Sequence, residues 1–414
     1  MSAPAATPGR VWRRRMQARD ATVEHRASTD LELLFDLTFV VAVAAVSTAL
    51  AHQLAAGQIA HGVGLYLMTF FAIWWAWVNF TWFASAFDTD DVPYRLLTLV
   101  QMAGVLVLAA GVKRAFEDSD FTVIVVGYVI MRLAMVGQWL RAAAGDPAFR
   151  ITCLRYAAGV SLVQLAWIAR MALPADVSTA SFVLLAAAEV IVPVWAERGA
   201  MTTWHPRHIG ERYGLFTIIV LGEGIAQVGN AFAAAVDGHI TVNLITTAVG
   251  GIVLLFALWW IYFARPVGDQ LRDRRSLAFV WGYGHLLVFA SLAAMAAALE
   301  VSIEAVGGHA GGGDGLAISD LEVALAIGMP VAVFLLVHGL LVRALDDAAE
   351  PPLPAVFASA AATVLLALTG AVLPLPVAGS VMCLPAVAVV VYLVASAHQR
   401  AVRARLPLLR EGAS

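Results

Sequence analysis

The chain is organised as long apolar runs separated by short polar segments. Twelve of these runs come close to the ~20 residues that a helix needs to cross a bilayer. They lie at 31–52, 62–84, 95–113, 121–141, 151–172, 179–197, 210–232, 240–263, 277–299, 319–343, 354–374 and 379–398. The pattern therefore predicts an all-α integral membrane protein with twelve transmembrane helices.

The runs also show an internal similarity. Glu32 is followed six residues later by Thr38 in the first run, and Glu211 by Thr217 in the seventh. The run after each of these ends on a similar segment, "WVNF" or "WIYF". The shared order and spacing predict a duplication. Because each half would hold an even number of spans, the halves would form a parallel repeat.

This duplication suggests a division of the chain into two halves and two tails. The predicted segments are a cytoplasmic Arg-rich tail at 1–28, a first six-helix half at 29–200, a second at 201–400, and a cytoplasmic tail at 401–414. We expect the first tail to be disordered or to lie on a surface.

The composition agrees with a membrane protein. The chain is 61% hydrophobic and only 13% charged, with a mean hydropathy of +0.82. That charged fraction is about half of what soluble proteins carry. The apolar surface is therefore predicted to face lipid, with the bilayer as the protein's partner. No basic and aromatic surface suggests a nucleic-acid partner, and no motif suggests a cofactor. Cys153 and Cys383 lie far apart in apolar runs, which predicts free thiols.

The basic residues indicate the orientation. Lys and Arg concentrate in the cytoplasmic loops of membrane proteins. With the N-terminus in the cytoplasm, the twelve predicted spans place all but four of the 26 Lys and Arg residues on that side. The four exceptions are Lys113, Arg114, Arg170 and Arg132, the last lying inside a span. Both termini are therefore predicted to be cytoplasmic, in a bacterial inner membrane. The Gly-rich segment 306–315 becomes an outer loop, with Gly312 open to labelling from outside.

Two acids occupy one face of the first predicted span. Glu32 and Asp36 are four residues apart, and their face continues through Phe39 and Val43. An ionisable group near the centre of a membrane helix costs about 2.5–3.5 kcal/mol. Either the acids meet an arginine from another span, or they line a polar vestibule that serves a cation or a proton. Arg132 and Arg212 are the candidate partners.

The seventh span carries Glu211, Arg212 and Glu223. Glu223 lies mid-span between Gly222 and Gly224. Glycines let another backbone approach closely or let the helix bend. Two interpretations of Glu223 remain open at this point: a functional carboxylate, or a packing notch whose carboxyl is hydrogen-bonded or neutral.

A metal site at the start of the same span is the less favoured interpretation. His205, His208 and Glu211 are spaced three residues apart, but metal-binding helices favour pairs four residues apart. Pro206 also interrupts regular geometry there. No metal is predicted, and a basic helix start facing the headgroups is preferred.

Two motifs point to a family. The segments "LELLFDLTFVVAV" (31–43) and "ERYGLFTIIVLGEGI" (211–225) resemble the bacterial low temperature requirement A (LtrA) family. Members of that family open with an "ELFFDLVFVFA"-like span and carry a later "ER(F/Y)GLFVIIxLGE"-like span. Leu34 and Thr38 depart from the first pattern. The resemblance implies a multi-spanning inner-membrane protein associated by name with growth at low temperature, and it supplies no substrate.

Three functional hypotheses follow. The first is a transporter or channel-like permease for a small ion or small molecule, coupled to a proton or a cation. Its polar interior would be lined by Glu32, Asp36, Arg132, Glu211, Arg212 and Glu223. The second is a membrane-embedded enzyme or lipid-handling protein that uses the acids for acid–base chemistry. The third is a structural or stress-response membrane protein. The first is favoured, and the protein is not expected to be an enzyme. Substrate and oligomeric state stay open.

Overall fold

The computed structural model describes residues 12–23, 26–174, 178–236, 240–311 and 316–411. These residues form helices and connecting segments, with no β-strand among them. The helices are α1 (Asp30–Ala55), α2 (Ile59–Phe87), α3 (Val92–Glu117), α4 (Thr122–Gly145), α5 (Arg150–Arg170), α6 (Ser178–Ala196), α7 (Pro206–Val236), α8 (Val242–Phe263), α9 (Val267–Asp273), α10 (Ala278–Gly311), α11 (Asp320–Leu345), α12 (Leu353–Leu368), α13 (Leu375–Val381) and α14 (Cys383–Glu411).

The described residues contain 12 helical segments long and apolar enough to cross a membrane. This confirms the predicted count and the all-α membrane class. The short helix α9 extends the span that begins with α8, and α13 with α14 together make the last span. Most boundaries agree with the predicted runs to within a few residues.

Helix α10 is longer than its apolar run. The run was predicted to end at 299, but the helix continues to Gly311. Residues 306–311 of the predicted outer loop are therefore helical, and 312–315, with Gly312, lie outside the described residues. An interior glycine weakens a helix by only about 1 kcal/mol. Because much of α10 is buried within the protein, packing can offset that loss.

The last predicted span is interrupted. Its first part ends at Val381 and the helix restarts at Cys383. Pro385 explains the break, because it has no N–H to donate to the carbonyl of Val381 and its ring crowds that carbonyl.

Burial along α1 shows how the helices are oriented relative to lipid. Leu33 and Leu37 are exposed, whereas Glu32, Asp36 and Phe39 on the other face are buried. Apolar side chains thus point outward and the acids point inward. This is the arrangement expected when the solvent is hydrocarbon rather than water.

The chain divides into two compact units. Unit 1 comprises Met1–Val46 and Leu67–Arg212, and unit 2 comprises Ser47–Tyr66 and Tyr213–Ser414. In unit 1 the helices α3 to α6 pack in chain order. In unit 2, α10 packs with α8 and α11, and α14 packs with α8.

The predicted duplication into halves at 29–200 and 201–400 stays a prediction. Residues 47–66 group with the later helices rather than with the earlier ones. Trp77 and Trp260, which the internal similarity aligns, have different environments: Trp77 is buried and Trp260 is exposed.

The N-terminal tail is predicted to be disordered or to lie on a surface, and its described residues lie against the ends of helices. The backbone N–H of Arg14 donates to Asp91 at 2.8 Å, and Arg15 Nε donates to the carbonyl of Gly145 at 2.6 Å. Met16 is buried beside Gly145, where a Cβ would come within 2.0 Å of the Met16 carbonyl oxygen. The tail is therefore fixed across the ends of α2, α3 and α4.

Candidate functional site

Unit 1 buries a group of charged side chains near the first residues of α1 and α7. We call it the Arg212 cluster; it consists of Arg26, Glu32, Asp36, His208 and Arg212. Glu32, Asp36, His208 and Arg212 are each no more than 1% exposed. Asp36 lies six residues into α1, roughly 9 Å from the helix start, so the charges are shallow compared with the membrane centre.

Asp36 and Arg212 form the core of this cluster. Arg212 Nε donates to Asp36 Oδ2 at 2.8 Å, and Nη2 donates to Oδ1 at 2.5 Å. Such a two-pronged pair uses the planar geometry of both groups and is stronger than a single contact. Trp77 Nε1 also donates to Asp36 Oδ1, at 2.7 Å. The carboxylate of Asp36 is thus fully engaged by side chains of α2 and α7.

Glu32 has two structural roles. Its carboxylate accepts the backbone N–H of Thr29 at 2.8 Å, while the Thr29 hydroxyl accepts the N–H of Glu32 at 3.3 Å. This reciprocal capping box starts α1. The same carboxylate also lies 3.3 Å from Arg212 Nη1, 3.1 Å from His208 Nε2 and 3.8 Å from Arg26 Nη2.

The charges of the Arg212 cluster balance. Two carboxylates face two guanidinium groups, and His208 adds a hydrogen-bonding ring. Arg26 is further held by the backbone carbonyls of Ala84, at 2.7 Å, and Ser85. A buried charge that is paired and hydrogen-bonded in this way is tolerated, whereas removal of one partner is strongly destabilising. The cluster therefore fastens α1, α2 and α7 together near their ends.

Asp88 extends this network just beyond the end of α2. It lies 3.2 Å from Arg19 and 3.9 Å from Arg26. Burial raises the pKa of Asp88 to about 6, and the nearby charge of Glu32 adds to the effect, while the two arginines oppose it. Asp88 is thus an acid that changes charge near neutral pH.

A second group of buried charges lies deeper in unit 1. We call it the Arg132 cluster; it consists of Trp75, Tyr128, Arg132 and Glu189. Arg132 Nη2 lies 3.2 Å from Glu189 Oε2, and Trp75 Nε1 donates to the same oxygen at 2.8 Å. Tyr128 donates to Glu189 Oε1 at 3.2 Å and accepts from Arg132. The cluster ties α2, α4 and α6 together.

Unit 2 contains a group of polar residues of a different kind, on α7 and α10. We call it the Glu223 cluster; it consists of Glu223, Gln227, Glu300 and Glu304. Gln227 Nε2 donates to Glu223 Oε1 at 3.4 Å. Glu300 interacts electrostatically with Glu223 and with Glu304. Among the residues that the structure describes, no basic side chain forms an ion pair with any of these acids.

Close contacts between α7 and α10 show which residues of the Glu223 cluster lie at the same height along the two helices. A Cβ on Gly224 would lie 3.1 Å from the Cβ of Ala296, and one on Gly307 would lie 2.8 Å from the Cβ of Ala235. In both contacts the α10 residue follows its α7 neighbour by the same number of residues, which is possible only if the two helices run parallel. Glu300, four residues after Ala296, therefore lies level with Gln227 and its neighbour.

Of the two glycines beside Glu223, one allows the close helix approach that the sequence predicts. Gly224 allows α10 to approach closely, as expected. Gly222 is exposed and would have nothing within 4 Å of an added Cβ. Helix α7 is continuous from Pro206 to Val236, so it does not unwind at Glu223.

The predicted polar residues therefore separate into groups. Arg212 is the partner of Glu32 and Asp36, whereas Arg132 pairs with Glu189 instead. Glu211 does not join the buried groups: its side chain is exposed and accepts the backbone N–H of Ser28 at 3.3 Å. Glu211 points outward because it precedes Arg212 by one residue, which is about 100° around the helix.

The His205, His208 and Glu211 triplet does not converge on one point. His205 Nε2 contacts the carbonyl oxygen of Val23 at 2.7 Å, and His208 points to Glu32. In the described part of the chain, no group of three or more His, Cys, Asp or Glu side chains could hold a metal ion.

Several contributors escape the sequence analysis, and Arg26, His208 and Glu300 are examples. Arg26 lies in the tail predicted to be disordered or to lie on a surface, and the spacing of His208 suggests only a metal ligand. Glu300 follows the predicted end of its apolar run by one residue, so it was placed outside the span. A usable signal existed for the Glu32 side, because Thr29 and Glu32 have the spacing of a capping box.

The comparisons with known proteins agree with this architecture. A family model described as bacterial low temperature requirement A protein (LtrA) matches residues 27–395. A protein of Rhizobium meliloti (strain 1021), Uncharacterized protein RA0937, is 28% identical over 277 residues, covering 62% of this chain and 64% of that protein. The chain thus matches less than two thirds of that relative's length. No solved structure matches the chain. Since the family match runs from before α1 into α14 and includes both motifs, the chain belongs to the bacterial low temperature requirement A (LtrA) family.

Proposed function

We propose that the protein is a permease, either a transporter or a channel-like protein, that moves a proton or is driven by one, with Glu223 as a required acid of the proton pathway. The observation that carries the proposal is the environment of Glu223. It lies 17 residues into α7, roughly 26 Å from the helix start, and is half-buried. Its hydrogen-bond partner is the amide of Gln227.

An acid in this position is costly unless it has a use. Intramembrane carboxylates without a basic partner typically mark ion pathways or proton relays. A carboxylate locked to an arginine cannot gain or lose a proton without leaving the arginine unpaired. Glu223 has no such restraint in the described structure, so its charge can change during a transport cycle.

A helix-locking role is the better account of the other predicted residues. Glu32, Asp36 and Arg212 are closed within a balanced cluster, and Arg132 is closed with Glu189. We therefore narrow the proposed functional site from the six residues predicted initially to Glu223. No specific contact favours the membrane-embedded enzyme.

We further propose that the protein resides in the inner membrane with both termini cytoplasmic. The distribution of the 26 Lys and Arg residues supports this orientation. Single cysteines placed in the described residues at Asp118, between α3 and α4, and at Asp347, between α11 and α12, provide the test. A membrane-impermeant thiol reagent added outside intact cells should label position 118 and not position 347. The reverse labelling would contradict the orientation.

The transport proposal is tested in liposomes that enclose a pH-sensitive dye. In one arm, a potassium diffusion potential set by valinomycin drives protons inward. In a second arm, a sodium or potassium gradient replaces the potential. We expect faster internal pH change than in protein-free liposomes in at least one arm, and we expect Glu223→Gln to abolish the difference.

Glu211→Gln is the matched control, because it makes the same chemical change on the same helix at an exposed position. It should retain the flux of the unmodified protein. The proposal is contradicted if neither arm shows flux, or if Glu223→Gln conducts as well as the unmodified protein at equal reconstitution.

A further inference from the structure

We infer that Glu300 is the group that holds the exchangeable proton, and that Gln227 connects it to Glu223. This inference rests on the proposed function, since it names the proton as the coupling ion of the same site. It assigns a role to two residues outside the sequence motifs that identify the family.

The first support is the hydrogen-bonding state of Gln227. Its side chain is only 5% exposed. The amide Nε2 donates to Glu223, but the carbonyl Oε1 is buried without a hydrogen-bond partner. A buried acceptor without a donor is costly by about 1–3 kcal/mol. The site therefore needs a donor on the side of Gln227 that faces away from Glu223.

Glu300 is placed to be that donor. It lies on α10 at the level of Gln227, and its Oε2 is also buried without a partner. Gln227 Oε1 and Glu300 Oε2 both accept hydrogen bonds, so they can bond to each other only when one of them carries a proton. A carboxylate has no proton to donate, but a carboxylic acid has one O–H. Protonated Glu300 can thus donate to Gln227 Oε1 while Gln227 donates to ionised Glu223.

Electrostatics points to the same state. Glu300 interacts with the charges of Glu223 from α7 and Glu304 from its own helix. Among the described residues, the other elements packed against α10 contribute no charged group to this interaction. Three neighbouring like charges repel one another, and the repulsion is strongest where a carboxylate is partly withdrawn from water, as Glu300 is. One proton on Glu300, the middle acid of the three, removes charge from both of its neighbours at once.

The proton step is simple. Glu300 takes one proton from a hydronium ion that reaches it past Glu304. The O–H bond of the hydronium breaks, its electron pair stays on the water that leaves, and a new O–H bond forms on the carboxyl group. On release that bond breaks, its electron pair stays on the carboxylate, and the proton returns to water. Glu304 is exposed one turn further along α10, so it lies between Glu300 and the end of the helix.

Infrared spectroscopy of the full-length protein in lipid nanodiscs tests the inference. The carbonyl stretch of a protonated carboxyl group is distinct from that of a carboxylate, and a pH titration shows which acid loses its proton. All variants are made in the Asp88→Asn background, because Asp88 also titrates near pH 6. In that background we expect a titrating signal that is lost in Glu300→Gln. The signal should persist in Glu223→Gln and in the matched control Glu304→Gln.

Further variants keep the test decisive if Glu300→Gln folds poorly. Glu300→Asp retains a carboxyl group and should retain a titrating signal with a changed midpoint. Gln227→Leu should also change the midpoint, because it removes the acceptor for the proton. A signal that survives in Glu300→Gln, or one lost only in Glu223→Gln, would overturn the inference.

The two proposals fail in different ways. A titrating Glu300 in a protein without flux in liposomes would leave the proton site standing and reject the permease. Proton flux that depends on Glu223, in a protein whose Glu300 shows no titrating signal, would keep the permease and reject the role of Glu300.

Discussion

The buried acids of unit 1 and the acids of the Glu223 cluster in unit 2 have different partners. In unit 1, Asp36 forms a two-pronged ion pair with Arg212, and Glu189 forms a single-contact ion pair with Arg132. In unit 2, Glu223 and Glu300 meet an amide and other acids. Acidic residues are therefore held by arginine in one region and have no basic partner among the described residues in the other.

This difference shows how an acid in a membrane helix is to be interpreted. The residue alone carries little information, because both kinds are costly in lipid. The partner decides: a buried arginine that engages both carboxylate oxygens, as at Asp36, makes the acid part of the scaffold. Asp88, whose arginine neighbours are partly exposed or 3.9 Å away, still changes charge, and we propose that Glu223, beside an uncharged amide, does so as well. Stability and proton flux are separate readouts of this contrast, because a structural acid affects the first and a proton-carrying acid the second.

The largest effect is expected at Arg212. Arg212→Leu leaves Asp36 without its main partner and weakens the charge balance at Glu32, so unfolding free energy should fall by about 3–5 kcal/mol. The measurement is unfolding of the purified protein in detergent micelles with increasing denaturing detergent. Glu211→Gln, at the exposed neighbouring position, should stay near the unmodified protein. Equal stability of Arg212→Leu would show that the cluster does not fasten the helices.

A smaller effect is expected at the Arg132 cluster, where a double variant sharpens the point. Arg132→Leu alone should cost about 3 kcal/mol, because it leaves Glu189 buried without a cation. Arg132→Leu combined with Glu189→Leu should recover most of that loss, since both charges are then removed together. Additive losses in the double variant would mean that the two side chains do not interact energetically and that each stabilises the fold through other contacts.

The next effect is a pH dependence that originates at Asp88. Its pKa is raised from 3.8 to about 6 in the folded protein, so the folded state binds this proton more tightly than the unfolded state. Its contribution to stability is therefore complete below about pH 4 and is lost as the pH rises through 6. The loss should be on the order of 1–3 kcal/mol.

Asp88→Asn provides the comparison for that prediction. The difference in unfolding free energy between the two proteins, measured from pH 4 to pH 7, should change with the sign given above. A difference that stays flat with pH would exclude Asp88 as the titrating group.

The smallest stability effect is expected at Glu223. Glu223→Gln keeps the shape of the side chain and its contact with Gln227, and it disturbs no ion pair. The unfolding free energy should change by less than about 1 kcal/mol. A loss as large as that of Arg212→Leu would place Glu223 with the structural acids and erase the contrast between the two units.

Much of the fold could be predicted from the sequence because the bilayer imposes one length on every spanning helix. The twelve runs, and the acids on one face of α1, follow from that constraint. The end of α10 could not be placed in this way. Hydropathy falls at Glu300, but helix propagation depends on backbone hydrogen bonds and packing, which continue to Gly311.

The site could be predicted less completely, for a different reason. Sequence places Glu32 and Asp36 on a shared face and suggests that they need a cation, but two arginines were available. The choice of Arg212 over Arg132 depends on which helices are neighbours in unit 1. Likewise, the proximity of Glu223 and Glu300 depends on the parallel contact of α7 and α10, which no local pattern encodes.

The most direct test of the central claim measures flux and stability together for Glu223→Gln and Asp36→Asn. Both substitutions replace a carboxylate by its amide in a spanning helix. The account predicts that Glu223→Gln keeps its unfolding free energy and loses proton flux in liposomes, whereas Asp36→Asn loses stability and keeps its flux per folded protein. The opposite pairing of results, with an unstable Glu223→Gln that still conducts and a stable Asp36→Asn that does not, would contradict it.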